Sequence, residues 1–273
     1  MQIDWRLKSL GYRALSWLPQ AALYEAQKRL TGRARRRITE IDEAWIWHAD
    51  KVAGHRRLLE FGAGKNLAQN LYLSAQGFEQ TVIDLYPMAD VDLIADAVAD
   101  LKALGVSLPH PPADLNDLRC FGIRYMAPLD MRATMFPDAS FDCCISTNTL
   151  EHIPEGSIRA IFVELRRVIR PGGLVTAQID YSDHYAHTDR SIGFANYLRF
   201  PDEQWQKHNH PNHYQNRLRH AHYGWIASEA GFELVSEETL KPCENWPSDA
   251  RPELVTGEES DRFCTGRYVW RNP

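Results

Sequence analysis

The chain has 273 residues, enough for one large domain, or for one domain with appended segments, around a substantial core. Apolar residues make up 44% of the sequence and charged residues 25%, which is typical of a globular protein. The formal net charge of −5 disfavours extensive binding to nucleic acid. No apolar run of about 18 residues occurs, so no membrane span is predicted.

The five cysteines have no C-x-x-C spacing, so we expect reduced thiols in a cytoplasmic protein and no zinc site. No compact apolar stretch follows a basic start, so the sequence predicts no secretory signal. Cys143 and Cys144 are adjacent in a predicted strand and should point to its opposite faces.

Residues 1–50 are predicted to form a helical cap, ahead of one domain over residues 51–273. The expected apolar face at the start of this cap consists of Trp5, Leu7, Leu10, Leu15, Trp17 and Leu18. The same segment is basic, and a basic amphipathic stretch with tryptophans can also lie on an anionic membrane surface. The pattern favours the cap, and a peripheral membrane contact through residues 1–37 stays open.

The domain begins with a strand, a glycine turn, a helix and a second strand. Residues 57–61 are the first strand, residues 62–64 the turn, residues 65–76 the helix and residues 80–85 the second strand. Such a right-handed crossover places a ligand at the carboxyl ends of parallel strands. A dinucleotide-binding turn needs a third glycine in G-x-G-x-x-G, but Leu67 holds that position, which disfavours a nicotinamide cofactor.

The later elements continue the alternation of strands and helices. Residues 89–104 are predicted to form a helix, and residues 123–129 a third strand that leads to Asp130 and Met131. The remaining predicted elements are a fourth strand after residue 142, a helix over 158–169, a fifth strand over 174–179, a helix over 225–231 and strands over 232–239 and 267–271.

Three sequence blocks narrow the class of protein. Residues 60–64 read Glu-Phe-Gly-Ala-Gly, residues 150–154 read Leu-Glu-His-Ile-Pro, and residues 164–173 read Glu-Leu-Arg-Arg-Val-Ile-Arg-Pro-Gly-Gly. Together they resemble the type-11 branch of the class I S-adenosylmethionine-dependent methyltransferases, and the resemblance extends over residues 57–181. It implies a Rossmann-like, doubly wound α/β fold with a mostly parallel seven-stranded sheet and helices on both faces, here with an N-terminal helical extension.

The resemblance implies S-adenosyl-L-methionine as the cofactor. Gly62 and Gly64 let the backbone approach the amino-acid end of the cofactor, where a side chain would collide. Glu60 is expected near the cofactor's ammonium group, directly or through water. Asp84 is expected to accept hydrogen bonds from the ribose hydroxyls.

The resemblance also implies contacts to the adenine. Asp130 is expected at the adenine amino group and Met131 against the ring, while an ordinary cap or turn role is the alternative for Asp130. Leu85 and Asn148 complete the expected cofactor-binding set.

An insertion rich in histidine and aromatic residues follows the fifth strand, at about residues 181–222. Asp180 and His184 are four residues apart at the expected pocket rim, where a histidine oriented by a carboxylate suits a general base. A structural pair is the alternative. His152 is a second candidate, although its motif is more typical of pocket shape than of catalysis. The histidines show no regular helical pair with a third ligand, so no metal site is predicted.

The predicted function is methyl transfer to a small-molecule or glycan-like acceptor, at oxygen or nitrogen. The arrangements D-x-x-D-H at residues 180–184 and N-R-L-R at residues 216–219 resemble those of methyltransferases associated with envelope glycans. Arg217 and Arg219 are interpreted either as a clamp for an anionic acceptor or as paired structural residues. The alternatives are a non-catalytic cofactor-binding protein that acts through a partner and, less favoured, a nicotinamide-dependent oxidoreductase. No nucleic-acid partner is expected.

Overall fold

The computed structural model describes residues 3–17 and 37–273. Leu18 of the expected apolar face, and the rest of the predicted cap over residues 19–36, lie outside the described residues. Within the described ranges, no helix has the length and apolar character needed to cross a membrane.

Seven strands form one sheet: β1 (Arg57–Phe61), β2 (Glu79–Ile83), β3 (Ile123–Met126), β4 (Phe141–Thr147), β5 (Ile169–Asp180), β6 (Glu233–Pro242) and β7 (Phe263–Arg271). The strand order is β3-β2-β1-β4-β5-β7-β6, and β1 to β5 are parallel, while β7 runs antiparallel between β5 and β6. The predicted doubly wound, mostly parallel sheet is therefore confirmed. The order reverses between β1 and β4, and a ligand crevice opens beyond the carboxyl ends of strands at such a point.

The helices are α1 (Trp5–Leu15), α2 (Glu43–Lys51), α3 (Ala68–Ala75), α4 (Val91–Ala103), α5 (Glu155–Val168), α6 (Asp202–Trp205) and α7 (His220–Glu229). Apolar side chains of α2, α3 and α4 pack on one face of the sheet, and those of α5 and α7 pack on the other. The near-continuous apolar runs of the central strands follow from this, because both faces of the sheet are covered.

Several element boundaries differ from the prediction, and two of these differences have a local reason. α3 begins at Ala68, and not at residue 65, because Leu67 has a left-handed φ of 49° that interrupts the helix before it. β5 begins at Ile169, so the Arg-Pro-Gly-Gly segment that was expected to end a helix belongs to the strand. A Cβ on Gly173 would lie 2.6 Å from the carbonyl oxygen of Asp142, which explains the glycine at that position.

α1 packs through a different face from the expected one. Trp5 is buried, and its ring centroid lies 5.6 Å from those of Tyr185 and Phe200, which belong to the insertion after β5. Ser9 is also buried, and its hydroxyl is 2.8 Å from Nδ1 of His208. The prediction of an apolar packing face is wrong for three exposed residues, Leu7, Leu10 and Trp17. The surface that receives α1 is aromatic and polar, and so the helix turns Trp5 and Ser9 toward it.

Cys243 and Cys264 form a disulfide, so the expectation of five reduced thiols is wrong. The two residues lie at the same end of the antiparallel β6–β7 ladder, 21 positions apart in the chain. Their proximity depends on the strand register, which cysteine spacing does not report. Cys143 and Cys144 are free and buried, and they point to opposite faces of the sheet as predicted.

We expect Trp5→Ala to destabilise the protein by roughly 3–5 kcal/mol, because it removes the buried ring that anchors α1 to the insertion. Trp17→Ala is the matched control, because Trp17 is 88% exposed, and we expect it to change the free energy of unfolding by no more than about 0.5 kcal/mol. Urea unfolding followed by circular dichroism measures both. Equal effects of the two substitutions would contradict the packing described for α1.

Candidate active site

The glycine turn between β1 and α3 has left-handed backbone at both glycines, with φ of +75° at Gly62 and +80° at Gly64. A Cβ on Gly62 would overlap the side chain of Thr149, from the loop after β4. A Cβ on Gly64 would meet no described atom within 4 Å, so this part of the turn borders open space. The turn therefore offers bare backbone to a ligand, as its predicted role requires.

Glu60, the last residue but one of β1, is hydrogen-bonded to the helix that follows this turn. It is buried, and its carboxylate accepts hydrogen bonds from Gln69 Nε2 (3.0 Å) and Asn70 Nδ2 (2.6 Å) of α3. Asn70 also donates to Oε1 of Gln80 in β2, at 3.0 Å. Burial raises the pKa of Glu60 to about 8, although the two amide donors oppose that rise. Both oxygens of Glu60 thus bond the protein itself, while a role at the cofactor's ammonium group stays a prediction.

Asp84 follows β2 and contacts the backbone of the glycine turn. Its carboxylate accepts a hydrogen bond from the hydroxyl of Tyr125 (2.8 Å), which in turn accepts from the backbone amide of Met88. Burial raises the pKa of Asp84 to about 6, against the hydrogen bonds from Tyr125 and from the backbone of the glycine turn. Asp84 is ionised at neutral pH and has the acceptor character that ribose hydroxyls need.

Asp130 and Met131, the residues expected at the adenine, follow β3 at the same edge of the sheet. Asp130 pairs with the neighbouring Arg132, with 2.6 Å between Oδ2 and Nη2, and the hydrogen bond from Arg132 lowers the pKa of Asp130. Met131 is buried, whereas Leu85 is half-exposed beside Asp84. A fixed acid and a buried apolar side chain thus follow β3, and their contacts to an adenine stay a prediction.

A second space lies next to the glycine turn, at the carboxyl ends of β4 and β5. We call it the histidine cavity. Its volume is about 560 Å³, and it is lined by Lys8, Tyr12, Asn148, Glu151, His152, Asp180, His184, His187 and His213. Asn148 precedes Thr149, whose hydroxyl donates to the carbonyl oxygen of Gly62 at 3.2 Å. The loop after β4 therefore joins the glycine turn to this cavity.

Asp180 ends β5 and faces two imidazoles of the histidine cavity. Its Oδ2 atom lies 3.5 Å from Nε2 of His184 and 3.8 Å from Nε2 of His187. Burial would raise the pKa of Asp180, but the hydrogen bonds from His184, His187 and Ser182 outweigh it and hold the pKa below its usual range. The structure thus brings the predicted pair Asp180 and His184 together at the expected rim.

His184 stands at the centre of a group of imidazoles. Its ring centroid lies 4.9 Å from that of His152, 5.7 Å from that of His187 and 6.1 Å from that of His213. Burial, with Lys8 nearby, lowers the pKa of His213 to about 3, so that ring is neutral at physiological pH. The cavity therefore offers nitrogen lone pairs as well as carboxylates.

Glu151 is a member of this cavity that the sequence did not single out. It lies in a 3₁₀ turn, Leu150–His152, and is buried. Neither carboxylate oxygen has a hydrogen-bond partner of good geometry among the described residues. Burial raises the pKa of Glu151 well above its ordinary range, and the nearby backbone amides of Glu151 and Asp180 offset only part of that rise.

The two arginines of the insertion do not form an anion clamp, so that interpretation is wrong. Arg219 is fully buried and donates to the carbonyl oxygens of Tyr181 and Asp261, at 2.7 and 3.0 Å for Nη1 and Nε respectively. Arg217 is buried as well and forms an ion pair with Asp202 at the start of α6. Both guanidinium groups bind the loops together, and neither lines the histidine cavity.

The fold, the open glycine turn and the acids at the strand ends are typical of doubly wound α/β proteins, which bind nucleosides where the strand order reverses. The profile of a family described as a methyltransferase domain matches residues 18–237. The chain belongs to this family of class I S-adenosylmethionine-dependent methyltransferases. The predicted class of enzyme and the predicted cofactor are confirmed, and the nicotinamide alternative has no support.

One relative in sequence has the same description, and two solved structures share the fold. The chain is 27% identical over 229 residues to an uncharacterized methyltransferase of Mycolicibacterium paratuberculosis, which covers 78% of this chain and 77% of the relative. A crystal structure of a S-adenosylmethionine-dependent methyltransferase from Methanosarcina mazei superposes with a TM-score of 0.51 at 13% identity, over 85% of this chain and 98% of that one. The [4+2]-cyclase SpnF gives a TM-score of 0.50 at 15% identity, over 84% and 80%.

We expect Asp84→Ala to weaken the binding of S-adenosylhomocysteine by roughly 1–3 kcal/mol, because the ribose hydroxyls lose their acceptor. The pKa of Asp84 is raised to about 6, so its carboxylate is present above pH 6 and becomes protonated below it. The wild-type affinity should therefore fall by about tenfold for each pH unit below 6, and the variant should lack this dependence. Calorimetry at pH 5 to 8 measures both effects.

Asp96→Ala, at an exposed acid of α4, is the control for this experiment and should bind as the wild type does. An Asp84→Ala variant with normal affinity, or with an unchanged pH dependence, would remove Asp84 from the cofactor site.

Proposed function

We propose that the protein transfers the methyl group of S-adenosylmethionine to an oxygen or nitrogen of a small-molecule or glycan-like acceptor in the histidine cavity. The observation that supports this most directly is the position of that cavity. Most of its lining residues lie at or after the carboxyl ends of β4 and β5, and Thr149 joins its rim to Gly62 of the glycine turn. When bound, the cofactor supplies an electrophilic methyl group on a sulfonium, and the acceptor must approach from the side opposite the sulfur.

In this proposal each part of the crevice holds one part of the cofactor. The residues are Gly62 and Gly64 at the amino-acid end, Asp84 and Leu85 at the ribose, Asp130 and Met131 at the adenine, and Asn148 at the opening to the histidine cavity. Glu60 acts through the turn, because its carboxylate fixes the first turn of α3 and with it the path of the glycines.

His184 and Asp180 are the proposed activating pair. The imidazole accepts the proton of the acceptor's hydroxyl or amine as the acceptor atom forms its bond to the methyl carbon. The carbon–sulfur bond breaks in the same step and its electron pair stays on sulfur. Asp180, 3.5 Å from Nε2 of His184, orients the ring and stabilises the imidazolium that results.

The lining of the histidine cavity supports a polar acceptor of modest size. Tyr12 and the imidazoles provide flat faces and hydrogen-bonding edges, and Asn148 provides an amide. Such groups suit the hydroxyls and ring faces of a sugar or a similar molecule. The volume of about 560 Å³ is within the usual range for small-molecule sites.

α1 closes this cavity on one side in the proposed arrangement. Tyr12 and Lys8 line it, and Nζ of Lys8 donates to the carbonyl oxygen of His184 at 3.3 Å. These contacts support the cap interpretation of the N-terminal segment and the exclusion of water from the reaction. Exposed Leu7, Leu10 and Trp17 keep the peripheral membrane contact as an alternative role for the outer face of α1.

A protein of this fold that binds the cofactor without methyl transfer is the second candidate. The observation that favours it is the superposition on SpnF, which is a [4+2]-cyclase and thus has a different reaction on the same fold. The buried, unpartnered Glu151 and the Asp180–His184 pair favour an active site over a purely structural cavity.

The function is tested by incubating the protein with a cell extract and methyl-labelled cofactor, followed by mass spectrometry for a labelled product. We expect a labelled small molecule with wild-type protein. His184→Ala should lower its rate of formation by roughly 10²–10⁴-fold, the usual span for the loss of a general base. The affinity for S-adenosylhomocysteine should stay unchanged, because His184 does not line the glycine turn.

His110→Ala is the matched control, because His110 is an exposed histidine outside the cavity. No labelled product in any extract would favour the non-catalytic candidate. A His184→Ala variant with wild-type turnover would remove His184 from the reaction, and a loss of cofactor affinity would assign it a structural role.

A further inference from the structure

The buried carboxylate of Glu151 lacks a counterpart within the described protein. The residue is 2% exposed, and both of its oxygens lack a hydrogen-bond partner there. A buried carboxylate in this condition is costly, because it has lost water and has gained neither a well-aligned donor nor a cation. Since Glu151 also lines the histidine cavity, the cavity is where a positively charged partner can reach it.

Two imidazoles converge on the same point. One ligand atom each from Glu151, His152 and His184 lies within 4.8 Å of the other two. Atoms that bind one metal ion at roughly 2.0–2.2 Å can be no more than about 4.4 Å apart, so small side-chain rotations bring these three into range. The three residues come from a turn after β4 and a loop after β5, both fixed by the sheet.

Each of the two histidines has a protein acceptor on one ring nitrogen. Nδ1 of His152 donates to the carbonyl oxygen of Tyr214 at 2.9 Å. Nε2 of His184 lies 3.5 Å from the carboxylate of Asp180. Metal-binding histidines show this arrangement, because the acceptor fixes the tautomer and makes the other nitrogen a better ligand.

We propose that Glu151, His152 and His184 bind a divalent transition-metal ion, with Asp180 orienting His184. Two imidazoles and one carboxylate suit Zn²⁺, Mn²⁺, Co²⁺ or Ni²⁺. They do not suit Mg²⁺, which prefers oxygen ligands and retains its waters. Three protein ligands leave coordination positions open to an acceptor, as in catalytic and not structural sites.

A second group, Asp180, His184 and His187, has similar spacing but less need of an ion. The carboxylate of Asp180 already accepts from the backbone amide of Ser182 at 2.8 Å and faces both imidazoles. The side chain of His187 is 49% exposed. Asp180 is thus satisfied by the protein, whereas Glu151 is not, and the ion belongs on the side of Glu151.

The inference rests on the proposed function in one respect, that the acceptor binds in this cavity. An ion held there polarises an acceptor oxygen and lowers its pKa, so that the proton leaves more readily. His184 is then a ligand, and the proton passes to His187, the other imidazole beside Asp180. The step at the methyl carbon stays the same, with the carbon–sulfur electron pair remaining on sulfur.

The test is a calorimetric titration of the full-length protein, freed of metal with a chelator, with Zn²⁺, Mn²⁺ and Mg²⁺ in turn. We expect Zn²⁺ or Mn²⁺ to bind at one site per chain and Mg²⁺ to bind more weakly. Asp180→Asn should lower the affinity roughly 10–100-fold, as the loss of an orienting partner does, and Glu151→Gln by at least as much. His110→Ala should bind the ion as the wild type does.

His152→Ala is a second ligand variant, useful because His152 lies at the surface and its loss should leave the fold intact. S-adenosylhomocysteine is titrated into every sample, so that a folded cofactor site is established independently of the ion. The metal site would be overturned if the wild type bound no transition-metal ion. It would also be overturned if Glu151→Gln and His152→Ala bound the ion with the wild-type affinity.

The two proposals fail in different ways. If no ion binds while the cofactor binds normally and a labelled product forms, the metal site is rejected and His184 stays the proposed general base. If an ion binds but no labelled product forms, the metal site is supported and the proposed reaction is rejected.

Discussion

The buried carboxylate of Glu60 is the constraint on which the active-site edge of the sheet depends. Its two oxygens bond the side chains of Gln69 and Asn70, and Asn70 continues to Gln80, so β1, α3 and β2 are joined in one polar network. A buried polar group without its hydrogen bond destabilises the fold, so this network favours one arrangement of β1, α3 and β2. The glycine turn connects β1 to α3, so this network fixes the positions of the two elements that flank the turn.

Two spaces meet at this edge because the strand order reverses beside β1. In the proposed arrangement, the residues after β1, β2 and β3 bind the nucleoside, and those after β4 and β5 bind the acceptor. Thr149 connects them, since its side chain packs on Gly62 while its neighbour Asn148 lines the histidine cavity. Alignment of a donor and an acceptor of a methyl group requires such contiguity.

The sequence predicted the sheet, the glycine turn and the pair Asp180 and His184, because each depends on a local pattern or on the end of one strand. It did not predict Glu151 as a buried, unpartnered acid, because its burial arises from the insertion folding over the rim. The structural role of the arginines depends on the same packing, because Arg219 is buried by loops that are distant in sequence. Disulfide pairing and the docking face of α1 likewise depend on register and tertiary contacts.

The central claim is that the methyl donor and the histidine cavity share one edge of the sheet. A crystal structure with bound S-adenosylhomocysteine tests it most directly. We expect the ribose on Asp84, the adenine beside Asp130 and the sulfur facing His184 with no side chain between them. A cofactor bound elsewhere, or a sulfur atom separated from the cavity by protein, would contradict the account.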